Sequence, residues 1–160
     1  MEIRFAQPGD IPGMIRLLQQ VGQVHHVGRP DLFRAGAQKY DENALLELLQ
    51  DPSRPIFIAA TSGKVLGYAF CICKEVKDNP VLADQRELYI DDLCVDEACR
   101  GQAIGTKLYR AVQDYARQEQ FDRITLNVWA FNESALRFYE KLGLKPQKIG
   151  MEAPVEEETC

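Results

Sequence analysis

No apolar run in this 160-residue chain is long enough to span a bilayer, so no membrane-crossing helix is expected. The opening MEIRFAQPGD lacks the apolar core of a secretory signal. Basic residues are in the minority. Nineteen Lys and Arg against 24 Asp and Glu leave a net charge of −5, which argues against a nucleic-acid surface and leans towards a cationic or amine substrate. Histidine is scarce: His25 and His26 are adjacent, cannot share a helix face, and are not expected to form a metal pair. The cysteines, Cys71, Cys73, Cys94, Cys99 and Cys160, are odd in number and contain no C-x-x-C. They are expected to be reduced and mostly buried in a cytoplasmic protein. No Gly-Lys-Ser/Thr closes a P-loop, and the dinucleotide pattern G-x-G-x-x-G is absent. Repeats and low-complexity linkers are missing too. The length fits one domain over residues 1–160 with a core of useful size.

What is present centres on Tyr89 to Thr106, YIDDLCVDEACRGQAIGT. Leu88, Tyr89, Ile90, Leu93, Cys94 and Val95 suit a buried strand. A turn of small residues, Arg100 to Gly105, then opens onto a helix marked by Ile104, Leu108, Val112 and Tyr115. The first N–H groups of a helix have no internal partner, and the helix dipole adds positive potential there, so this turn is a candidate anion site. Arg100 sharpens that reading, because a cation at a helix start opposes the dipole unless an anion binds beside it. The plainer reading is an ordinary strand-to-helix turn with a solvated arginine.

Glu2 to Ala6 alternates as a short strand. Asp10 is placed to cap a helix whose stripe is Ile11, Met14, Ile15, Leu18 and Val21, broken at His25 to Pro30 by a segment that could form one wall of a substrate pocket or, more plainly, a polar loop. Asp41 or Asn43 starts a second helix that ends at Asp51-Pro52. Ile56–Thr61 and Val65–Cys73 read as a hairpin around Ser62-Gly63, with Gly67 marking a bulge or a close backbone approach. Glu75 to Arg86 reads as loop, and Glu87 to Val95 as the central strand. Within it, Asp91 and Asp92 are expected on opposite faces, one of them inside or lining a cleft. Arg123 to Trp129 alternates as a strand. Asn132 caps a helix through Ala135, Leu136, Tyr139 and Leu142, ended by Gly143. Lys145 to Ala153 reads as a last strand or hairpin, and 154–160 as a loose acidic tail.

Two motifs carry a resemblance. Arg100-Gly101-Gln102-Ala103-Ile104-Gly105 resembles the Gln/Arg-x-x-Gly-x-Gly/Ala pyrophosphate loop of the GNAT superfamily of acyl-CoA-dependent N-acetyltransferases. Ala103 stands at the first glycine position, which is tolerable if that residue is helical. Asn132 to Leu144 is similar to the family's Asn-x-x-Ala-x-x-x-Tyr-x-x-x-Gly-Phe, with Leu144 for the final Phe. The close resemblance spans Glu87 to Leu144.

The resemblance implies an α/β fold of the α+β type: a mixed, mostly antiparallel sheet with splayed central strands, flanked by helices. It implies acetyl-CoA as acyl donor, with no metal. The cofactor contacts it implies are Leu93, Cys94, Val95, Arg100, Gly101, Gln102, Ala103, Ile104, Gly105, Thr106, Asn132, Ala135 and Tyr139. Tyr139 would face the thioester sulfur as a hydrogen-bond donor, and as an acid only with a lowered pKa. A backbone N–H near Cys94 could polarise the thioester carbonyl. Asp91 would anchor the acceptor ammonium or pass its proton through water, with Glu87 and Asp92 as weaker candidates. The implied activity is acetyl transfer to a primary amine, more readily of a small molecule, by direct attack in a ternary complex. A protein N-terminal or lysine acceptor, a non-catalytic acyl-CoA-binding module and a phosphate-binding interaction domain are the alternatives. The expected partners are acetyl-CoA and the amine, with neither nucleic acid nor membrane, and a homodimer is compatible.

Overall fold

The computed structural model describes residues 1–156, which form five strands and four α-helices. In chain order these are β1 (Glu2–Phe5), α1 (Ile11–Gly28), α2 (Glu42–Leu49), β2 (Ile56–Thr61), β3 (Lys64–Val76), β4 (Gln85–Val95), α3 (Ile104–Gln118), β5 (Arg123–Leu126) and α4 (Glu133–Lys141). The sheet runs in sequence order, antiparallel from β1 to β4 and parallel between β4 and β5. It is the mixed, mostly antiparallel sheet flanked by helices that the sequence led us to expect.

Strand alternation builds two cores. Ile56, Ile58, Tyr68 and Phe70 turn to one face, where Met14, Leu17, Leu18 and Leu45 from α1 and α2 cover them. Phe57, Ala59, Ala69, Leu88 and Ile90 turn to the other, where Leu108 and Val112 from α3 seal them. Gly67 fulfils both expectations for it. The β2–β3 register shifts beside it, and a Cβ there would lie 2.9 Å from the Cys94 carbonyl oxygen.

Several expected boundaries move. α1 does not break at His25 but runs on through Gly28. The His26 ring bonds the Phe33 carbonyl at 2.8 Å, and His25 stacks on Phe33, so tertiary contacts support that last turn. Asp10 precedes α1 without capping it through its side chain. Its carboxylate instead accepts from the Arg4 guanidinium at 2.7 Å and from the Gln7 N–H at 2.8 Å. Asp41 does cap α2, accepting from the Ala44 N–H. β3 and β4 extend into the expected loop, shortening it to residues 77–84. β5 stops at Leu126 rather than Trp129, because β4 diverges from it there. Lys145 to Ala153 forms no strand, and Ile149 and Met151 stand exposed. Of the acidic tail, 157–160 lie outside the described residues.

Candidate active site

The site begins with a fault in β4. Cys71 pairs with Ile90 and Phe70 with Asp92, so Asp91 is the extra residue of a β-bulge. A bulge resets the alternation of every residue beyond it and bends its strand. Before it, Leu88 and Ile90 face α3; after it, Cys94 joins the core under α1. The two aspartates are therefore not on opposite faces, as strand geometry alone suggested. Asp91 accepts from the Lys39 ammonium at 2.7 Å and the Tyr40 hydroxyl at 3.0 Å. Asp92 accepts from the Tyr68 hydroxyl at 2.6 Å. Tyr40 and Tyr68 both belong to the core on the α1 side.

The bulge also sits where the sheet opens. β4 and β5 pair only from Glu87↔Arg123 to Ile90↔Leu126. Beyond that point one edge of β4 has no strand neighbour among the described residues. The Asp96 N–H donates to the Leu66 carbonyl of β3, so alternation turns the Cys94 N–H towards β3 and those of Leu93 and Val95 towards the cleft. The backbone N–H groups near Cys94 that face the cleft are therefore those of its neighbours, not its own. Cys94 itself is 4 % exposed, its thiol donates to the Leu17 carbonyl, and burial pushes that thiol up to about 12.

At the end of β4 the buried Asp96 ties the strand to α1. Burial alone would raise its pKa, but Arg16 at 2.6 Å, the Ala98 N–H and Gln20 hold it below the usual carboxylate range. The chain then enters α3 through Gly101 at φ +82° and Ala103 at φ +60°. Ala103 is left-handed, so the helical conformation that would make its methyl tolerable is not met, and this conformation costs an L-residue roughly 1 kcal/mol. No side chain caps α3, which leaves the N–H groups of Ile104, Gly105 and Thr106 without intrahelical partners. The Ile104 side chain is buried beneath them in the α3-side core, while Arg100, Gly101, Gln102 and Ala103 are exposed. Gly105 has a second reason to be small: a Cβ there would lie 3.0 Å from the Phe138 ring.

Across the cleft, Asn132 caps α4 by accepting from the Ala135 N–H at 3.2 Å. Tyr139, one face of that helix onward, is raised well above the usual tyrosine pKa by burial first and then by Asp92 and Cys94. It therefore keeps its proton near neutral pH, and the lowered pKa that an acid would need is absent. Burial likewise raises Asp92, to about 6, against the lowering influence of the Tyr68 hydroxyl. Glu87 is engaged elsewhere, accepting from the Thr125 hydroxyl at 2.7 Å. A single cleft joins these parts, lined among others by Asp92, Leu93, Arg100, Gly105, Asn132 and Tyr139.

Sequence reasoning passed over Tyr68, Lys39 and Tyr40. Tyr68 left a usable signal, since a tyrosine inside an apolar strand needs a partner for its hydroxyl. Lys39 and Tyr40 left none, because only the folded loop brings them to Asp91.

A model of the Acetyltransferase (GNAT) family matches residues 21–144. The chain belongs to the GNAT acetyltransferase family. Among relatives, it is 27 % identical to a mouse thialysine N-epsilon-acetyltransferase over 144 residues, covering 89 % of this chain and 81 % of that protein. It is 32 % identical over 95 residues to a probable N-acetyltransferase, camello, of Xenopus laevis, covering 59 % of this chain but only 40 % of that longer protein. Among solved structures, a mutant of the BH1408 protein from Bacillus halodurans superposes with a TM-score of 0.93 at 31 % identity, over 98 % of this chain and all of that one. An aminoglycoside N-acetyltransferase in complex with CoA shares the fold, with a TM-score of 0.71 at 15 % identity over 97 % of this chain and 99 % of that one. Enzymes of the family use acetyl-CoA, and the residues present suit it: an uncapped helix start beside Arg100 for anionic phosphate, and an unpaired strand edge for an amide-bearing arm.

Proposed function

We propose that the chain transfers acetyl from acetyl-CoA to a primary amine of a small molecule, by direct attack in a ternary complex. The observation that carries this reading is the opening of β4 from β5 directly onto the uncapped start of α3. Bound acetyl-CoA supplies an activated acyl group as a thioester. Leu93, Val95, the 100–106 turn, Asn132 and Ala135 are assigned to holding it. The N–H of Leu93 or Val95 is the donor assigned to the thioester carbonyl oxygen.

Asp92, not Asp91, is the carboxylate assigned to the acceptor proton. Both line the cleft, but Asp91 is ion-paired with Lys39, whereas Asp92 has its pKa pushed up to about 6 by burial. An ordinary Asp lies about six units below a lysine-like ammonium; at about 6 the gap narrows to about four, or roughly 6 kcal/mol. That remainder favours relay through water or an acceptor less basic than lysine. Tyr139 retains its proton and serves as a hydrogen-bond donor to charge developing on sulfur. As the N–C bond forms and the C–S bond breaks, the amine proton leaves through Asp92 to water, and the thiolate, hydrogen-bonded by Tyr139, takes up a proton from water.

The test is calorimetric titration of acetyl-CoA, followed by thiol release with a panel of amines and a basic peptide. Micromolar binding with turnover of small amines is expected. No CoA binding to a folded protein overturns the reading. Binding without turnover of any acceptor would favour an acyl-CoA-binding module, and exclusive turnover of the peptide would favour a protein acceptor.

A further inference from the structure

The side of the cleft away from α3 carries an aromatic wall that the donor site does not use. Trp129 and Phe131, on the segment between β5 and α4, stack at 6.3 Å with 20° between their planes. Phe33, from the segment after α1, meets the Trp129 ring edge-on at 5.1 Å. His25 of α1 packs on Phe33 at 4.8 Å and edge-on to Phe131 at 6.4 Å. All four line the cleft, and Trp129 remains 43 % exposed there.

Two glycines of α1 shape this wall. A Cβ on Gly28 would lie 2.2 Å from the Phe131 ring, so the last turn of α1 leaves room for that aromatic. A Cβ on Gly22 would lie 2.2 Å from the Ala37 carbonyl oxygen, so the segment carrying Lys39 and Tyr40 lies hard against the helix. That contact brings Lys39 to Asp91.

The charges complete the picture. Asp91 is paired with Lys39, which leaves Asp92 as the carboxylate at the inner wall without a cation. Burial, then Lys39, lowers the His25 pKa, so the wall adds no cation of its own near neutral pH. Around the whole cleft, Lys and Arg outnumber Asp and Glu. Of the acids lining the cleft, Asp91 and Glu152 are ion-paired, which leaves Asp92 and Glu140 for the ammonium groups of a polycation. A single ammonium attached to a flat apolar body matches both features: the body against the aromatic faces, the nitrogen towards Asp92.

We infer that the acceptor is a primary monoamine with an aromatic or flat apolar body, bound against Phe33, Trp129 and Phe131. This rests on the acetyltransferase reading above. The chain contains one tryptophan, Trp129, so its fluorescence reports this wall alone. With CoA saturating, phenylethylamine should change that emission saturably, and spermidine or kanamycin should not. With acetyl-CoA, kcat/KM for phenylethylamine should exceed that for spermidine and kanamycin by on the order of tenfold or more. Trp129→Ala should lower kcat/KM for phenylethylamine by roughly tenfold, with a smaller loss for propylamine, and Trp129→Phe should recover most of it. Preference for a polycation, an emission that responds to CoA but not to the aryl amine, or equal losses for both amines in Trp129→Ala would overturn the inference. Failure of CoA to bind in calorimetry would instead overturn the acetyltransferase reading.

Discussion

From Glu87 to Ile90, β4 is paired on both edges, and its apolar side chains alternate into the α3 core as any interior strand would have them. From Asp92 to Val95 the same strand keeps β3 on one edge and has no strand on the other among the described residues. One inserted residue separates the halves. In the first half, backbone groups satisfy one another and the side chains make core. In the second, the free edge can bind a ligand's amides, and both carboxylates turn to the α1 side. The lesson is that a bulge does two jobs here at once. It ends the β4–β5 pairing, and it moves Asp92 to where Tyr68 and Tyr139 sit.

Deleting Asp91 attacks that difference most directly. Without that residue Cys71↔Ile90 and Phe70↔Asp92 become consecutive regular pairs, so Asp92 and Cys94 keep the α1 side while β4 loses its bend away from β5, and the domain should fold but lose its acetyl-CoA binding. Circular dichroism melts with calorimetry decide it; a folded, CoA-binding deletion variant would show that the bulge is dispensable.

Next in size is the contrast between the aspartates. Asp92→Asn should lower kcat by roughly 100-fold or more, while Asp91→Asn, which removes a carboxylate already held by Lys39, should cost less than about tenfold. The reverse order would return the role to Asp91. Asp92 must be ionised to accept a proton, and its pKa is raised, so activity should be full above and fall as the pH drops through about 6. The Tyr68 hydroxyl lowers that value, so Tyr68→Phe should move the acid limb upward. A pH profile with its limb near pH 4 would remove Asp92.

Tyr139→Phe keeps the ring and removes one donor. A loss of about 2–4 kcal/mol, or roughly 30- to 1000-fold in kcat, is expected with little change in acetyl-CoA affinity or melting temperature. Single-turnover measurement ensures that chemistry is read rather than product release; a wild-type single-turnover rate would leave Tyr139 a packing residue.

The smallest effect belongs to Ala103. Glycine relieves the left-handed strain but adds freedom to the unfolded chain, so Ala103→Gly should gain about 0.5–1 kcal/mol, a melting rise of roughly 2 °C. A fall in melting temperature would mean that the methyl packs usefully in the turn.

Much of this was legible in the residues. The β2–β3 hairpin, the cap at Asp41, the Asn132 cap of α4 and the turn into α3 follow from local chemistry: alternation, side-chain capping and small residues at a helix start. Those signals act over four or five positions, within reach of sequence inspection. The end of α1 was misplaced because a Phe33 contact from outside the helix supports its last turn. The strand expected at Lys145 to Ala153 failed because alternation does not provide a neighbour to pair with.

By itself, then, the sequence indicated most of the strands and helices and where an anion could sit, and the family resemblance led us to expect Tyr139 and the aspartates in one region. Only the tertiary structure decided which aspartate is free. That choice depends on Lys39, Tyr40 and Tyr68, which lie 52, 51 and 24 residues from their carboxylates. It also depends on a register shift that exists only when β3 and β4 pair. Burial, ion pairing and register belong to contacts between distant segments, and an aspartate acquires its chemistry from them rather than from its neighbours in the chain.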